Sequence, residues 1–565
     1  MSRFAPDWSA DAVWYQVFVP RFCNGAAQND PPHTRPWTGD WARLEPGEQP
    51  PLRHRLFERR YGGDLQGLRS KLPYLGNLGV NALYLNPIFQ ASSEHKYDTA
   101  DHRHIDDTFG VGGSRLRLTG ETDDPSTWKW SDSDRLFRDF VAHAHARGFR
   151  IVLDGVFNHV GPEFWAWRDV KTIGRASRYA EWFEVTDWGP PLRWQAWDGP
   201  NGRLVNFKQV GDGLHPDVEA YLFAVVRRWM DPDGDGDPSD GVDGWRLDAA
   251  EKVPHGFWRR FRREVKRINP QALIVGEIWI DAGEWLRGDQ FDTVTNYRFS
   301  GSVMRFFSQA GTRYAPSTFL DDLTAVRRDH PWEVTLGMLN LLGSHDTERA
   351  VTMLADPQRA PNASGKIPER DLLKPDKDAY RRLKLAAFFQ FTYPGAPIVY
   401  YGDEVGMYGG DDPFCRAPMW WPETDDPCYQ ASMLDFYRTL FSLRHLRVEL
   451  RRGRFRLILA DDARRLIAFS RRYRARETIV VVNGATADHR VTLTLDRPAQ
   501  TVLDRPAQTV KVTTFPAAGE SRVQGVTKWE RIGPDGRLEG VCPALSGQLL
   551  LLGDPTGEYV DHDSR

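Results

Sequence analysis

The sequence predicts a (β/α)8 barrel with an inserted subdomain after strand three and a C-terminal antiparallel β-sandwich. Three observations carry that expectation. Eight short β-type runs alternate with amphipathic helical stretches along most of the chain. One gap between runs is far longer than a single helix needs. After about residue 440, helical periodicity gives way to short strands separated by turns.

The runs read AVWYQVFV (12–19), NALYLNPIF (81–89), RIVLDGV (150–156), GWRLD (244–248), LIVGEI (273–278), FDTVTNY (291–297), MLNLLGS (338–344) and APIVYY (396–401). Several are nearly all apolar, as strands buried on both faces should be. Helical patterns such as DRLFRDFVAHAHARG (134–148) and FWRRFRREVKRI (257–268) lie between most of them. The long gap falls between Val156 and Gly244, and its first part is rich in Trp, Gly and Pro. Long insertions on βα loops sit on the catalytic face of such barrels. The expected division is therefore a barrel over 1–160 and 214–438, an inserted subdomain over 161–213 and a sandwich over 439–565. Within the last, LDRPAQTV occurs twice in tandem, at 495–502 and 503–510. Eight residues are too short for a repeat architecture, so this reads as a duplication that lengthens a loop.

Composition excludes several classes. Of 565 residues, 41% are hydrophobic and 27% charged, with 74 Lys plus Arg against 77 Asp plus Glu. A net charge of −3 speaks against a polyanion binder held by bulk charge, so no nucleic acid partner is expected. No apolar run approaches the roughly 18 residues that span a bilayer. The start MSRFAPDWSADAVW lacks the basic and apolar segments of a secretory leader. Four cysteines without CxxC spacing suggest neither zinc nor a disulfide framework. A cytoplasmic enzyme is the expectation. Trp (21) outnumbers Tyr (18). Flat apolar rings with a polar edge suit sugars, although most such rings belong in cores.

Catalytic candidates in such barrels stand at the C-terminal ends of strands. Here those ends carry Asp154, Asn158 and His159 (DGVFNH), Arg246 and Asp248 (GWRLD), Glu277 (VGEIW), and His345 with Asp346 (GSHDTER). Asp248 and Glu277 lie 29 residues apart, enough for one helix and its return to the adjacent strand. Glycoside hydrolysis needs such a pair: one carboxylate to attack the anomeric carbon, and one acid to release the leaving oxygen. Arg246, two residues before Asp248, emerges on the same side and is expected to keep Asp248 anionic. Gly276, Ile278 and Trp279 suggest an apolar setting that raises the pKa of Glu277.

These residues carry a resemblance. Over roughly residues 10–430 the sequence resembles the α-amylase superfamily, glycoside hydrolase family 13. Its four signature regions stand in order as DGVFNH, GWRLDAAEKV, GEIW and GSHD. YGGDLQGL (61–68), NPIFQASSEHKYDTAD (86–101), QFDTVTNYRF (290–299) and YPGAPIVYYGDEVGM (393–407) look most like the neopullulanase, cyclomaltodextrinase and maltogenic-amylase branch. The resemblance implies a retaining α-glucan hydrolase acting on α-1,4 bonds of maltooligosaccharides, cyclodextrins, starch or pullulan. It implies Asp248 as nucleophile, Glu277 as general acid/base and Asp346 as the third carboxylate, gripping sugar hydroxyls. It implies that His159 and His345 bond the sugar at the cleavage point and that Tyr97 stacks beneath it, with His95 alongside. Arg246 would orient Asp248, Asp412 and Arg416 (DDPFCRAPM) would bind the next sugar outward, and Asp154 would be structural.

That branch carries Asn-Glu where this chain has Glu251-Lys252, on the leaving-group side. It also carries an N-terminal carbohydrate-binding domain that builds its dimer. Strand one begins here near residue 12, so a monomer or weak dimer is expected.

Two stretches suggest structural calcium. CNGAAQND (23–30) with YGGD (61–64) resembles the family's N-terminal calcium loop, implying Asn24, Asn29, Asp30, Asp64 and a carbonyl of Gly62 as ligands. DPDGDGDPSDG (231–241) resembles the first half of a calcium loop, with Asp231, Asp233, Asp235 and Asp237 as ligands, but Val242 replaces the closing Glu. Either stretch also reads as a metal-free polar turn. Three alternatives to hydrolysis stay open: glucan transfer by the same site, a non-catalytic glucan binder, and a metal-dependent barrel enzyme.

Overall fold

In a computed structural model of the chain, eight parallel strands close into a barrel in sequence order. They are β1 (Trp14–Val17), β2 (Ala82–Leu85), β3 (Arg150–Gly155), β4 (Gly244–Leu247), β5 (Leu273–Ile278), β6 (Thr293–Asn296), β7 (Leu339–Leu341) and β8 (Ala396–Tyr400). The structure describes the chain apart from residues 1–3, 39, 40, 42, 45–48, 50, 310–313, 329, 356–372, 425, 427, 495–510, 516–528, 533–536 and 553–565. The tandem LDRPAQTV therefore lies outside the described residues.

Successive residues along a barrel strand face alternately inward and outward. Inward residues Trp14, Tyr84, Val152, Val275, Leu341 and Ile398 meet in one cluster that fills the barrel. Their neighbours Tyr15, Leu83, Leu153, Trp245, Leu247 and Ile274 pack outward in the larger core shared with the helices. Both faces are buried, which is why the runs are almost continuously apolar. The helix Asp132–His145 starts at a capping box: Ser131 accepts from the Asp134 N–H, and Asp134 accepts from the Ser131 N–H. It buries Phe137, Phe140, Val141 and Ala144. Helices Pro216–Met230 and His255–Ile268 follow β3 and β4. The expected alternation breaks between β5 and β6, where residues 281–290 form turns and no helix.

The chain between β3 and the helix Pro216–Met230 holds a short helix, Trp165–Ile173, and three small antiparallel pairs. An aromatic core holds it: Trp165 meets Tyr179 edge-on at 4.9 Å, and Trp167 meets Phe183 at 5.0 Å. Most of the tryptophan excess is thus core. Trp197, 47% exposed, is the exception.

At the C-terminal end a five-stranded antiparallel sheet runs in the order Arg454–Asp461, Leu466–Tyr473, Arg476–Asn483, Ser546–Leu552, Lys511–Phe515. A three-stranded sheet (His489–Leu493, Arg537–Cys542, Glu530–Ile532) accompanies it. Alternation again decides the packing. Ile467, Phe469, Val480 and Val482 join the main core, while Leu466, Ala468, Ile479 and Val481 join Val491, Leu493 and Leu538 in a separate cluster. The larger sheet is therefore buried on both faces. Phe469 lies 5.9 Å from Phe389 on helix Lys377–Thr392 and 5.1 Å from Phe455. Truncation of Phe469 to Ala is expected to cost about 3–5 kcal/mol in chemical denaturation, the range for a buried aromatic. A loss below about 1 kcal/mol would mean that this sheet is not seated on the barrel helix.

Candidate active site

Strand register assembles the site. β3 and β4 pair Asp154 with Arg246, so both side chains project from neighbouring strands at one level. β4 and β5 pair Leu247 with Gly276, which brings the next residues, Asp248 and Glu277, level with each other. The Asp248 N–H continues the ladder to the Gly155 carbonyl at 3.1 Å. Ala249 then takes a left-handed conformation, φ 46°, unusual for a residue with a side chain. Its N–H donates to Glu277 Oε2 at 2.8 Å.

Arg246 is 1% exposed and holds three carboxylates. Its Nη1 donates to both oxygens of Asp154 at 2.8 and 3.0 Å and to Asp248 Oδ1 at 3.0 Å. Its Nη2 lies 2.7 Å from Glu277 Oε1. The apolar setting anticipated for Glu277 is thus corrected. Trp279 is near, but its indole donates to the same oxygen at 3.3 Å, and the guanidinium lies on the carboxylate. Asp154 is fully buried and also accepts from Tyr84 and Tyr97, at 2.6 and 2.8 Å.

A second group adjoins it. Tyr97 Oη meets His345 Nε2 at 2.5 Å, and the two rings stack at 5.3 Å. His345 Nε2 also lies 3.0 Å from Asp346 Oδ2. Gln16 Nε2 contacts His345 Nδ1 at 2.8 Å and Asn86 Oδ1 at 3.0 Å. His95 stacks on Tyr97 at 5.9 Å, and its Nδ1 accepts from the Tyr97 N–H. Arg416 lies beside the third carboxylate as well as beside Asp412. It donates to the His345 carbonyl at 2.8 Å and to Asp346 Oδ1 at 3.2 Å, with Asp412 at 3.7 Å. Asp412 also faces Arg53 at 3.5 Å.

A cavity of about 310 Å³ opens over these groups, lined by Tyr97, His159, Trp197, Asp248, Glu251, Glu277, Trp279 and Asp346. His159 is buried, its Nε2 has no partner, and its Nδ1 faces the Asn158 amide at 3.2 Å. Burial lowers the pKa of His159 to about 4, so the ring is neutral, and it lines the cavity wall. Trp197 stacks on His159 at 6.0 Å and 16°.

Charge is crowded here. Burial, then the neighbouring Glu277 charge, pushes Asp248 well above the usual carboxylate range, although Arg246 pulls the other way. The guanidinium cannot keep Asp248 as firmly anionic as its spacing in the sequence suggested, because Asp154 and Glu277 share it. Asp346 rises to about 7, again through burial and the Glu277 charge. The cluster therefore retains a proton at neutral pH.

Of the first candidate calcium set, Asn24 Nδ2 donates to Asp30 Oδ1 at 2.7 Å. Gly62 sits so close that an added Cβ would fall 2.1 Å from that oxygen. Asp64 Oδ1 caps the helix Leu65–Ser70 through the Gly67 N–H at 2.6 Å. Asp64 Oδ2 and Asn29 Oδ1 are buried without partners. The second set is corrected. Asp231 and Asp233 converge with Asp240, their oxygens within 4.8 Å, while Asp235 and Asp237 fall outside that group and cap backbone N–H groups at 2.7 and 3.0 Å.

Sequence reasoning missed Gln16, Asn86, Tyr84 and Trp197. For the first two a signal existed: a lone amide inside an apolar strand run, YQVF and YLNP. Trp197 offered none, since it is one tryptophan among many.

A buried arginine bridging carboxylates at the mouth of a (β/α)8 barrel defines a glycosidase-type site. The α-amylase catalytic-domain family model matches residues 16–124 and 130–439. This chain belongs to the α-amylase family of glycoside hydrolases. It is 41% identical over 490 residues to neopullulanase 2 of Thermoactinomyces vulgaris, covering 86% of this chain and 72% of that one. It is 37% identical over 494 residues to cyclomaltodextrinase of Thermoanaerobacter pseudethanolicus, covering 87% and 73%. Among solved structures, cyclic α-maltosyl-(1→6)-maltose hydrolase from Arthrobacter globiformis superposes with TM-score 0.69 at 33% identity, covering 86% of this chain and 93% of that one.

The raised pKa of Asp346 makes stability depend on pH with a definite sign. In the unfolded chain an aspartate ionises near about 3.9, whereas Asp346 in the fold ionises at about 7. Between those values the folded protein binds a proton that the unfolded chain has lost. Stability therefore falls as pH rises through this window and levels off above it. Asp346→Asn removes the titration. Its Tm should gain on the wild type between about pH 4.5 and about pH 8. A difference that is flat with pH would contradict the assignment.

Proposed function

We propose that this chain hydrolyses α-1,4-glucosidic bonds of maltooligosaccharides, cyclodextrins, starch or pullulan with retention of configuration. One observation supports this above the rest: Asp248 and Glu277 lie on neighbouring nitrogens of one buried guanidinium. That placement favours the short carboxyl spacing of retaining enzymes, about 5–5.5 Å, over the wider gap of inverting ones. Asp248 attacks C1 of the sugar while the C1–O bond breaks, and Glu277 gives its proton to the departing oxygen. Glu277 then takes a proton from water, whose oxygen attacks C1 and releases Asp248. His159 and the carboxylate of Asp346 bind ring hydroxyls. Tyr97 floors the pocket, and Trp197 and Trp279 offer apolar faces at its wall.

Asp248→Asn and Glu277→Gln should each lower kcat on maltotriose by at least about 10³-fold with the fold intact by circular dichroism. With an activated aryl glycoside, Glu277→Gln should accumulate a covalent glycosyl adduct on Asp248, detectable by mass spectrometry. An adduct elsewhere, or near-normal turnover by Asp248→Asn, would sink the assignment. Products longer than maltotriose would instead indicate transfer to sugar.

We also propose a structural calcium ion at Asn24, Asn29, Asp30, Gly62 and Asp64. Two buried oxygens without partners support the fit, since hard cations take such ligands. The ion would brace the loop and helix preceding β2 and would take no part in the chemistry. A second cation would sit on Asp231, Asp233 and Asp240. Chelation should lower Tm by a few degrees, calcium should restore it, and Asp64→Asn should reduce the response. A Tm unchanged by chelator would remove the ion. Cytoplasmic residence is part of this proposal, supported by four unpaired thiols, Cys23, Cys415, Cys428 and Cys542.

A further inference from the structure

His345 carries one ring proton when neutral, and burial together with the guanidiniums of Arg416 and Arg246 pushes its pKa well below the ordinary value. Which nitrogen holds that proton follows from counting donors. The Gln16 amide nitrogen has two hydrogens and two neighbours, His345 Nδ1 at 2.8 Å and Asn86 Oδ1 at 3.0 Å. With Asn86 Oδ1 accepting, its Nδ2 donates to Tyr97 Oη at 2.9 Å. The single Tyr97 proton goes to Asp154 Oδ2 at 2.8 Å. With Asp346 ionised, as it is above about pH 7, His345 Nε2 then faces two acceptors, Tyr97 Oη and Asp346 Oδ2. Every hydrogen has a place if the ring proton is on Nε2.

The opposite arrangement fails the same count. Turning Gln16 alone sets its oxygen against Asn86 Oδ1. Turning both amides lets Gln16 accept from Nδ1–H but leaves the single Tyr97 proton facing Asn86 Oδ1, Asp154 Oδ2 and His345 Nε2. With Asp346 ionised it also sets the lone pair of His345 Nε2 against Asp346 Oδ2 at 3.0 Å. Each buried acceptor left unpaired costs about 1–3 kcal/mol.

We propose that Gln16 is a positioning residue that fixes His345 in its Nε2–H form, so that the ring presents a donor to the sugar hydroxyl held at Asp346. Gln16 acts through His345. The purpose of the donor rests on the glycosidase reading, but the tautomer is a property of the free protein and is tested without substrate.

The test is 15N NMR of the full chain labelled at histidine, with His345→Gln assigning the signal. In the wild type at about pH 8.5, where Asp346 is ionised, Nε2 should be protonated and Nδ1 bare. Gln16→Met, close in volume but without an amide, should admit the Nδ1–H form and lower kcat/KM on maltotriose about tenfold. Gln16→Glu, whose carboxylate accepts from Nδ1–H, should reverse the tautomer. A wild-type Nδ1–H signal overturns the proposal, as does a Gln16→Met protein that stays wholly Nε2–H. A wild type with the stated tautomer that turns over no glucan supports the proposal and defeats only the glycosidase reading.

Discussion

The site depends on one buried cation. Arg246 stands at the top of the barrel core, with Asp154 beside it and Asp248 and Glu277 above. A guanidinium taken out of water this completely is stable only with its charge matched, and here both terminal nitrogens meet carboxylates while Nε has no partner. Asp154 supplies the deepest match and is held by two tyrosines. The remaining valence organises the two reactive carboxyls.

This constraint also explains the charge balance. One guanidinium divided among three carboxylates, with Asp346 and Arg416 nearby, leaves more acid than base in a buried space. Burial first, and then the Glu277 charge, raises Asp248 and Asp346 together. The histidines respond in the opposite sense. Burial drives His95 to about 3 and His159 to about 4, so the rings serve as neutral hydrogen-bonding groups.

Around this polar layer the scaffold is apolar and rigid. The barrel interior fills from below with Trp14, Tyr84 and Val275, and the insertion after β3 packs its own aromatic core beside the mouth. Trp197 is left facing the cavity because the hairpin bearing it is tied down. Its N–H bonds the Leu204 carbonyl at 2.8 Å, and Asp198 accepts the N–H groups of Arg203 and Leu204 at 2.8 and 3.0 Å.

Sequence by itself determined the barrel, the insertion and the strand-end residues. These rest on local rules: a two-residue alternation, a helical period, and polar groups where apolar runs stop. The eight runs coincide with β1 to β8, and Asp154, Arg246, Asp248 and Glu277 are brought together as their positions in the runs suggested. Tertiary structure alone decided the partners. That Arg246 also takes Glu277 and that Arg416 reaches Asp346 depends on distances between residues far apart in the chain. Gln16 lies 329 positions from His345, and no periodicity encodes a contact across that separation. Hydrogen-bond direction and shared charge belong to the assembled site, because they are set only when all the partners are present at once.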